Sequence, residues 1–250
     1  MELELKKECL DTYELGEPQT LTQEETAETI VPDYCPDIAR IISAEGVVCL
    51  HGGTEQDGVT GTVRVTVLYT PENESGVRAL EFAMPFSAQG EGLAGCAHVV
   101  VDTEIELLES RMLNPRKIFT RCKLVTHLAG CRKVCLTISS DAETDPALLV
   151  EKRCCGQTVS LLRQVAEKDL TFSETMSLSL GREGAAELLH CRANGIVTET
   201  KAIGNKLIFK GVFLVSVLYR TTGGQLASAS AELPFSQIME TDSTEENTQV

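Results

Sequence analysis

Tryptophan is absent from this 250-residue chain, and aromatic residues of any kind are scarce, with seven Phe and four Tyr. Basic residues are also few: 22 Lys and Arg stand against 37 Asp and Glu, a net charge of −15. A phosphate backbone needs a basic footprint, so nucleic acid is excluded as an expected partner. No apolar run approaches the roughly 20 residues that a membrane-spanning helix needs. The first residues, Met1-Glu2-Leu3-Glu4-Leu5-Lys6-Lys7-Glu8, place acids where a secretory signal needs bases followed by an apolar stretch. Cys-x-x-Cys is missing despite ten cysteines, and the histidines (His51, His98, His127, His190) are scattered. Zinc therefore finds no ligand set, and reduced thiols are expected in a cytosolic protein. Gly-x-Ser-x-Gly, the P-loop and His-Glu-x-x-His are missing too, which removes the common hydrolase and nucleotide signatures. The expectation is a non-catalytic protein with no metal and no cofactor.

What remains is ordinary for a globular chain, 42% hydrophobic and 24% charged, long enough for a real core. The acidity is concentrated at the ends: residues 1–30 carry −7 and residues 237–250 carry −4.

Alternation is the strongest pattern. In Gly61-Thr62-Val63-Arg64-Val65-Thr66-Val67-Leu68-Tyr69, the valines and Tyr69 face one way and the polar residues the other, as in a half-buried strand. Gly211-Val212-Phe213-Leu214-Val215-Ser216-Val217-Leu218-Tyr219 repeats it as Gly-x-x-x-Val-x-Val-Leu-Tyr at an offset of 150. Ile41-Ile42 aligns with Leu188-Leu189 at an offset of 147, and Pro85-Phe86-Ser87 with Pro234-Phe235-Ser236 at 149. The length changes fall at turn signals, Asp57-Gly58 and Gly204-Asn205, where a structural repeat tolerates them. Tyr69 and Tyr219 read as matching core-edge anchors.

Between the copies, residues 97–111 and 117–128 form a second alternating pair across the turn Leu113-Asn114-Pro115-Arg116. The predicted register sets Ile105 beside Leu124 and Leu107 beside Cys122 inside, with Glu106 opposite Lys123 outside. Further strands are predicted at 46–52, 77–86, 132–139, 157–165, 171–180 and 187–200. The N-terminal segment, with Leu3, Leu5, Cys9 and Leu10, reads as either a strand or a tail. The fold class is all-β, a β-sandwich-like domain with an internal duplication whose second copy is incomplete. At most one short helix is expected, near 36–44, where Pro36 and Asp37 suit a helix start.

The segment Val31-Pro32-Asp33-Tyr34-Cys35-Pro36-Asp37-Ile38-Ala39-Arg40-Ile41-Ile42, followed by a hairpin and Gly-x-x-x-Val-x-Val-Leu-Tyr, resembles the SPOCS domain of clostridial and other Firmicute sporulation proteins of the SipL type. The resemblance divides the chain into a first SPOCS-like domain at 1–165, a second, truncated repeat at 166–237 and a disordered acidic tail at 238–250. It implies a spore-coat morphogenetic scaffold or adaptor with no catalytic residue. That scaffold would act in the mother-cell cytoplasm at the forespore surface, with coat proteins as partners and a coat-basement ATPase among them. The LysM domain that accompanies many family members has no counterpart after Phe235, so the chain reads as a short member or the front of a longer protein. A homo-oligomer, as a self-assembling fibre or surface-layer subunit, is the alternative. An enzyme using a cysteine or the Asp33/Asp37 pair is the less favoured one.

Asp33, Tyr34, Asp37 and Arg40 form the candidate partner-binding set, with helix-start chemistry and a Pro-stiffened loop as the plainer reading. Gly90-Glu91-Gly92-Leu93-Ala94-Gly95 matches the dinucleotide pattern, but it leads into the strand-like His98-Val99-Val100-Val101 and is read as a loop.

Overall fold

The computed structural model describes residues 4–51, 58–143 and 183–241, together with 151, 153, 156, 158–168, 171, 173 and 175. The described residues form ten strands and no helix: β1 (Glu4–Leu15), β2 (Gln19–Ile30), β3 (Ile38–His51), β4 (Gly58–Pro71), β5 (Arg78–Gln89), β6 (His98–Asn114), β7 (Lys117–Glu143), β8 (Ala185–Ile203), β9 (Lys206–Thr221) and β10 (Leu226–Glu240). All pairings are antiparallel.

The long β7 is the spine of the first sheet. One edge of it pairs with β2 along residues 117–128 and then with β1 along 131–143, while β6 takes the other edge from 117 to 131. The second sheet has the order β3-β4-β5 and the third β10-β9-β8. The β2-β7-β6 half of the first sheet lies over the second, with β3 alongside β6 and β2 alongside β5, which makes a two-layer sandwich. Its core comes from the alternating faces: Val63, Val65, Val67 and Tyr69 of β4, and Ile118, Cys122 and Leu124 of β7, are all 0–1% exposed. A second cluster around Val59, Ala88, Leu93 and Leu128 extends this core toward the 90–95 loop.

The repeat reaches down to the irregularities of the strands. β3 is bulged against β4 between Ile38 and Arg40 and again between Ile41 and Ser43. β8 is bulged against β9 between Ala185 and Glu187 and between Leu188 and His190, at equivalent positions. A bulge re-aims the strand and depends on local register, so two in common mark one ancestral hairpin used twice. The glycine and the phenylalanine of the repeated motifs also have a joint reason. Gly61 sits directly across from Phe86, and Gly211 from Phe235. A Cβ at Gly61 would lie 2.5 Å from the Phe86 ring, and one at Gly211 would lie 2.6 Å from the Phe235 ring. Each aromatic ring covers a glycine whose missing side chain makes room for it, a cross-strand pairing that stiffens an otherwise weak strand position.

Five expectations need correcting or placing. The helix near 36–44 does not form, and β3 starts at Ile38 instead. The two bulges bring both Ile38 and Ile41 to the core side, so a bulged strand imitates the i, i+3 spacing of a helix, while the β-branched isoleucines favour the strand. The β6–β7 register agrees with the prediction from His98↔Cys131 to Ile105↔Leu124, then slips by one. Leu108, not Leu107, therefore sits beside Cys122, although Glu106 and Lys123 still pair at 2.8 Å. The thiols are not uniformly reduced: Cys9 and Cys135 are joined, their Cα atoms 5.7 Å apart across β1 and β7. The predicted strand at 171–180 lies mostly outside the described residues. At 158–165 no strand is assigned, although Leu162 O accepts hydrogen bonds from the Tyr13 amide (2.8 Å) and the Thr12 hydroxyl (3.0 Å).

The third sheet joins the sandwich through polar contacts. One Glu187 carboxylate oxygen accepts from Arg78 of β5 at 2.9 Å and from Arg220 of β9 at 2.8 Å, and His190 lies 3.1 Å from Glu45. β10 runs to Glu240, three residues beyond the point where the tail was expected to begin.

Candidate interaction site

Residues 31–37 link β2 to β3, and Pro32 and Pro36 fix two backbone φ angles and remove two amide donors. Two of the loop's other amides, and the first amide of β3, have backbone acceptors. Val31 donates to Arg116 O, Cys35 to Pro32 O in a tight turn, and Ile38 to Pro115 O, each at 2.9 Å. Asp37 O accepts from the Glu72 amide at 2.9 Å, and the buried Tyr69 hydroxyl donates to Pro36 O at 3.3 Å. The loop is thus pinned from both sheets.

The centre of this arrangement is Arg116, in the β6–β7 turn. Its Nη1 donates to Cys35 O (2.8 Å) and Asp37 Oδ1 (3.0 Å); its Nη2 donates to Val31 O (2.9 Å) and Asp33 Oδ1 (3.1 Å). The planar fork of a guanidinium supplies four donors in fixed directions, which an ammonium cannot do. The Asn114 side chain accepts from the Arg116 amide at 2.9 Å and shapes the turn that delivers it.

The structure therefore brings together Asp33 and Asp37, and the partner that unites them is a residue the sequence reading had placed only in a turn. Nothing local pointed to Arg116: exposed carboxylates need no cation, and the base nearest in sequence is Arg40. Asp37 holds Arg116 rather than starting a helix. Tyr34 stands at the tip of the braced loop, 87% exposed. Arg40 lies apart on β3, exposed, with its carbonyl accepting from the Thr70 hydroxyl at 3.4 Å. A rigid loop offering one exposed aromatic ring flanked by a carboxylate is suited to recognition.

Two buried groups beneath the loop are shifted. Burial and the nearby Cys35 thiol push Tyr69 up from 10.0 to about 12. Burial and the Glu25 carboxylate push Cys122 up from 9.0 to about 11. Both groups are neutral when protonated, so the folded state holds its protons longer than the unfolded one as the pH rises. Their stability contribution is complete below pH 9 and is lost between about pH 9 and 12. Urea unfolding at intervals from pH 7 to 11 should give a flat midpoint that falls above 9. Combining Tyr69→Phe with Cys122→Ala should flatten that fall, and an unchanged slope would count against this cause.

The remaining sequence candidates resolve as follows. Gly90–Gly95 connects β5 to β6 and opens no helix; it rims a cavity of about 300 Å³ that Glu14 and Glu17 also line, an unfavourable setting for a pyrophosphate. Among the described residues one group of three metal-type donors occurs, Cys9, Asp11 and Cys135, and the joining of the two sulfurs leaves a single carboxylate. No helix of the described structure is long and apolar enough to cross a membrane.

Residues 185–250 match the family model described as SipL, SPOCS domain. This segment is similar to the SPOCS domain. The match begins where β8 begins and takes in all of β8, β9 and β10, including the second Gly-x-x-x-Val-x-Val-Leu-Tyr. The hairpins of the third sheet are thus repeated by β3-β4-β5, which share two of the three β8 bulges and whose residues lie outside the match. No curated protein and no solved structure matches the chain.

Proposed function

We propose that this protein is a non-catalytic structural module of spore-coat assembly, a morphogenetic scaffold or adaptor working in the mother-cell cytoplasm at the forespore surface. The observation that carries this reading is the SPOCS match over residues 185–250, which supports a role in sporulation. The geometry adds a means. The loop of residues 31–37, braced by Arg116, presents Tyr34 to a protein partner at little entropic cost, because its backbone is already ordered. Tyrosine anchors of this kind commonly dominate an interface. A coat-basement ATPase is the partner class we expect, with Asp33 flanking the aromatic anchor.

The test is a fluorescent fusion of the full chain in sporulating cells, paired with binding of the purified chain to coat proteins. The wild type should encircle the forespore. Tyr34→Ala should lower partner affinity by about 10- to 30-fold, as for other aromatic anchors, and disperse the signal without changing the thermal midpoint. A wild-type fusion that stays dispersed in sporulating cells would overturn the coat reading, whereas a Tyr34→Ala fusion that still encircles the forespore would overturn only the role of the loop.

A further inference from the structure

A strand at the edge of a sheet offers a row of unpaired amides and carbonyls, and folded chains block such edges with prolines, charges or bulges. Several edges of this protein are blocked in these ways. β5 and β10 carry Pro85 and Pro234, which interrupt the row of donors. β2 carries Glu24, Glu25 and Glu28. β3 is bulged twice and has β6 alongside it. β8, the counterpart of β3 in the repeat, has none of these devices in its middle.

From His190 to Val197 the pairing of β8 with β9 runs without a shift, its bulges lying on either side. Every residue from Cys191 to Lys201 is exposed, Ile196 at 46% and Val197 at 53%. Among the described residues no strand pairs with the edge of β8 that faces away from β9. The segment from Cys191 to Val197 contains no proline and a single charge, Arg192. The polar contacts that join the third sheet to the sandwich, at Glu187 and His190, fall before this segment. A straight, exposed and half-apolar edge of this kind is a template for a further strand.

We infer that this edge pairs with the same edge of a second copy, antiparallel, so that two three-stranded sheets join into one sheet of ordinary size. The segment is self-complementary in that arrangement. A two-fold axis through an antiparallel pair passes between two copies of one residue, and the middle of the segment is Asn194. About Asn194, Cys191 faces the partner's Val197, Ala193 faces the partner's Gly195, and Arg192 faces the partner's Ile196. No two like charges oppose each other, and the two Asn194 amides, each both donor and acceptor, meet at the axis. Net charge favours the same occupant. A chain of net charge −15 repels its copies over most of its surface, whereas residues 188–198 contain no acid. Main-chain hydrogen bonds supply the affinity, and the facing side chains fix the register. The contact is isologous, so it closes at two chains. It rests on the edge of β8 alone and stands apart from the coat reading.

Sedimentation of the full chain in reductant, over a concentration series, tests the inference. The expected result is a reversible monomer–dimer equilibrium that depends on the sign of the charge at residue 196. Ile196→Arg, set against the partner's Arg192 twice in each dimer, should weaken association about 10-fold. Ile196→Glu, set against the same guanidinium, should strengthen it by a similar factor. Asn194→Asp, which brings two carboxylates together at the axis, should weaken it as well. Ser230→Asp, on β10 at the far edge of the sheet, should leave it unchanged. All three positions are exposed in the single chain, and circular dichroism verifies that the variants fold. A wild type that is monomeric at every concentration overturns the inference, as does an assembly that grows beyond two chains. So does a dimer that Ile196→Arg and Ile196→Glu shift in the same direction, or one that Asn194→Asp leaves intact.

Discussion

Replacing Gly61 with valine should lower the stability of the sandwich by about 3 kcal/mol or more, the upper end of what overpacking costs. For a chain of this size that corresponds to a fall in thermal midpoint of roughly 6–12 °C. The reason is that the new side chain is caught from two sides. Its Cβ would lie 2.5 Å from Phe86 Cε1, and the Cys49 carbonyl of the neighbouring strand stands 2.9 Å away. The ring could swing aside, but only by leaving the core where Phe86 is 5% exposed; the carbonyl belongs to the β3–β4 ladder and cannot yield without breaking it. Gly211→Val should behave alike in the third sheet, where the Ile196 carbonyl and the Phe235 ring close in. Urea unfolding is the measurement. A loss below about 1 kcal/mol for Gly61→Val, no more than an exposed strand glycine would show, would mean that the aromatic ring is not held over the glycine.

The second large effect is expected at Arg116. Arg116→Ala removes four donors at once and leaves the Val31 and Cys35 carbonyls without them. Hydrogen bonds from a charged donor contribute about 1.5–3 kcal/mol each when well buried. Arg116 is about a third exposed and its two carboxylate partners more so, and a net loss of about 2 kcal/mol is the reasonable figure. The sharper consequence is local. Without the guanidinium, Asp33 and Asp37 repel each other and the loop loosens around Tyr34, so limited proteolysis should find a new cleavage site within 31–37. Arg116→Lys should recover less than half of the loss, because one ammonium cannot reach four acceptors on two sides. If the lysine variant matched the wild type in both stability and protease resistance, the fork geometry would not be what holds the loop.

How much of this was legible in the sequence depended on the range of the interaction. β4 and β9 are read directly from alternation because their faces differ at each step, and the inner face of β7 follows from Ile118, Cys122, Leu124 and Leu128, all at most 1% exposed. The duplication was visible for the same reason. β2 escaped notice because it is an edge strand whose inward positions include Gln23 and Glu25, and its Ile30 faces outward at 72% exposure. Bulges defeated the reading twice, since one extra residue inverts the alternation that follows: Leu108 replaced Leu107 in the core, and Ile38 and Ile41 looked helical. At the candidate site, the proline-stiffened loop and its acids were readable because they are contiguous. Arg116 was not paired with them, because the contact spans 79 residues to Asp37 and no local pattern encodes it.

The length of β7 carries a further consequence. Its 27 residues belong to two different environments: up to residue 131 it lies between β2 and β6 over the core, and beyond that it is flanked by β1. Past Cys131 the strand is largely exposed, with Leu136 and Ile138 each more than 40% open to solvent. A continuous strand therefore passes through two cooperative units, and its far half opens at a lower free energy than the half that closes the sandwich. The covalent link between Cys9 and Cys135 lies in that weaker half, so it holds together the ribbon that would separate first.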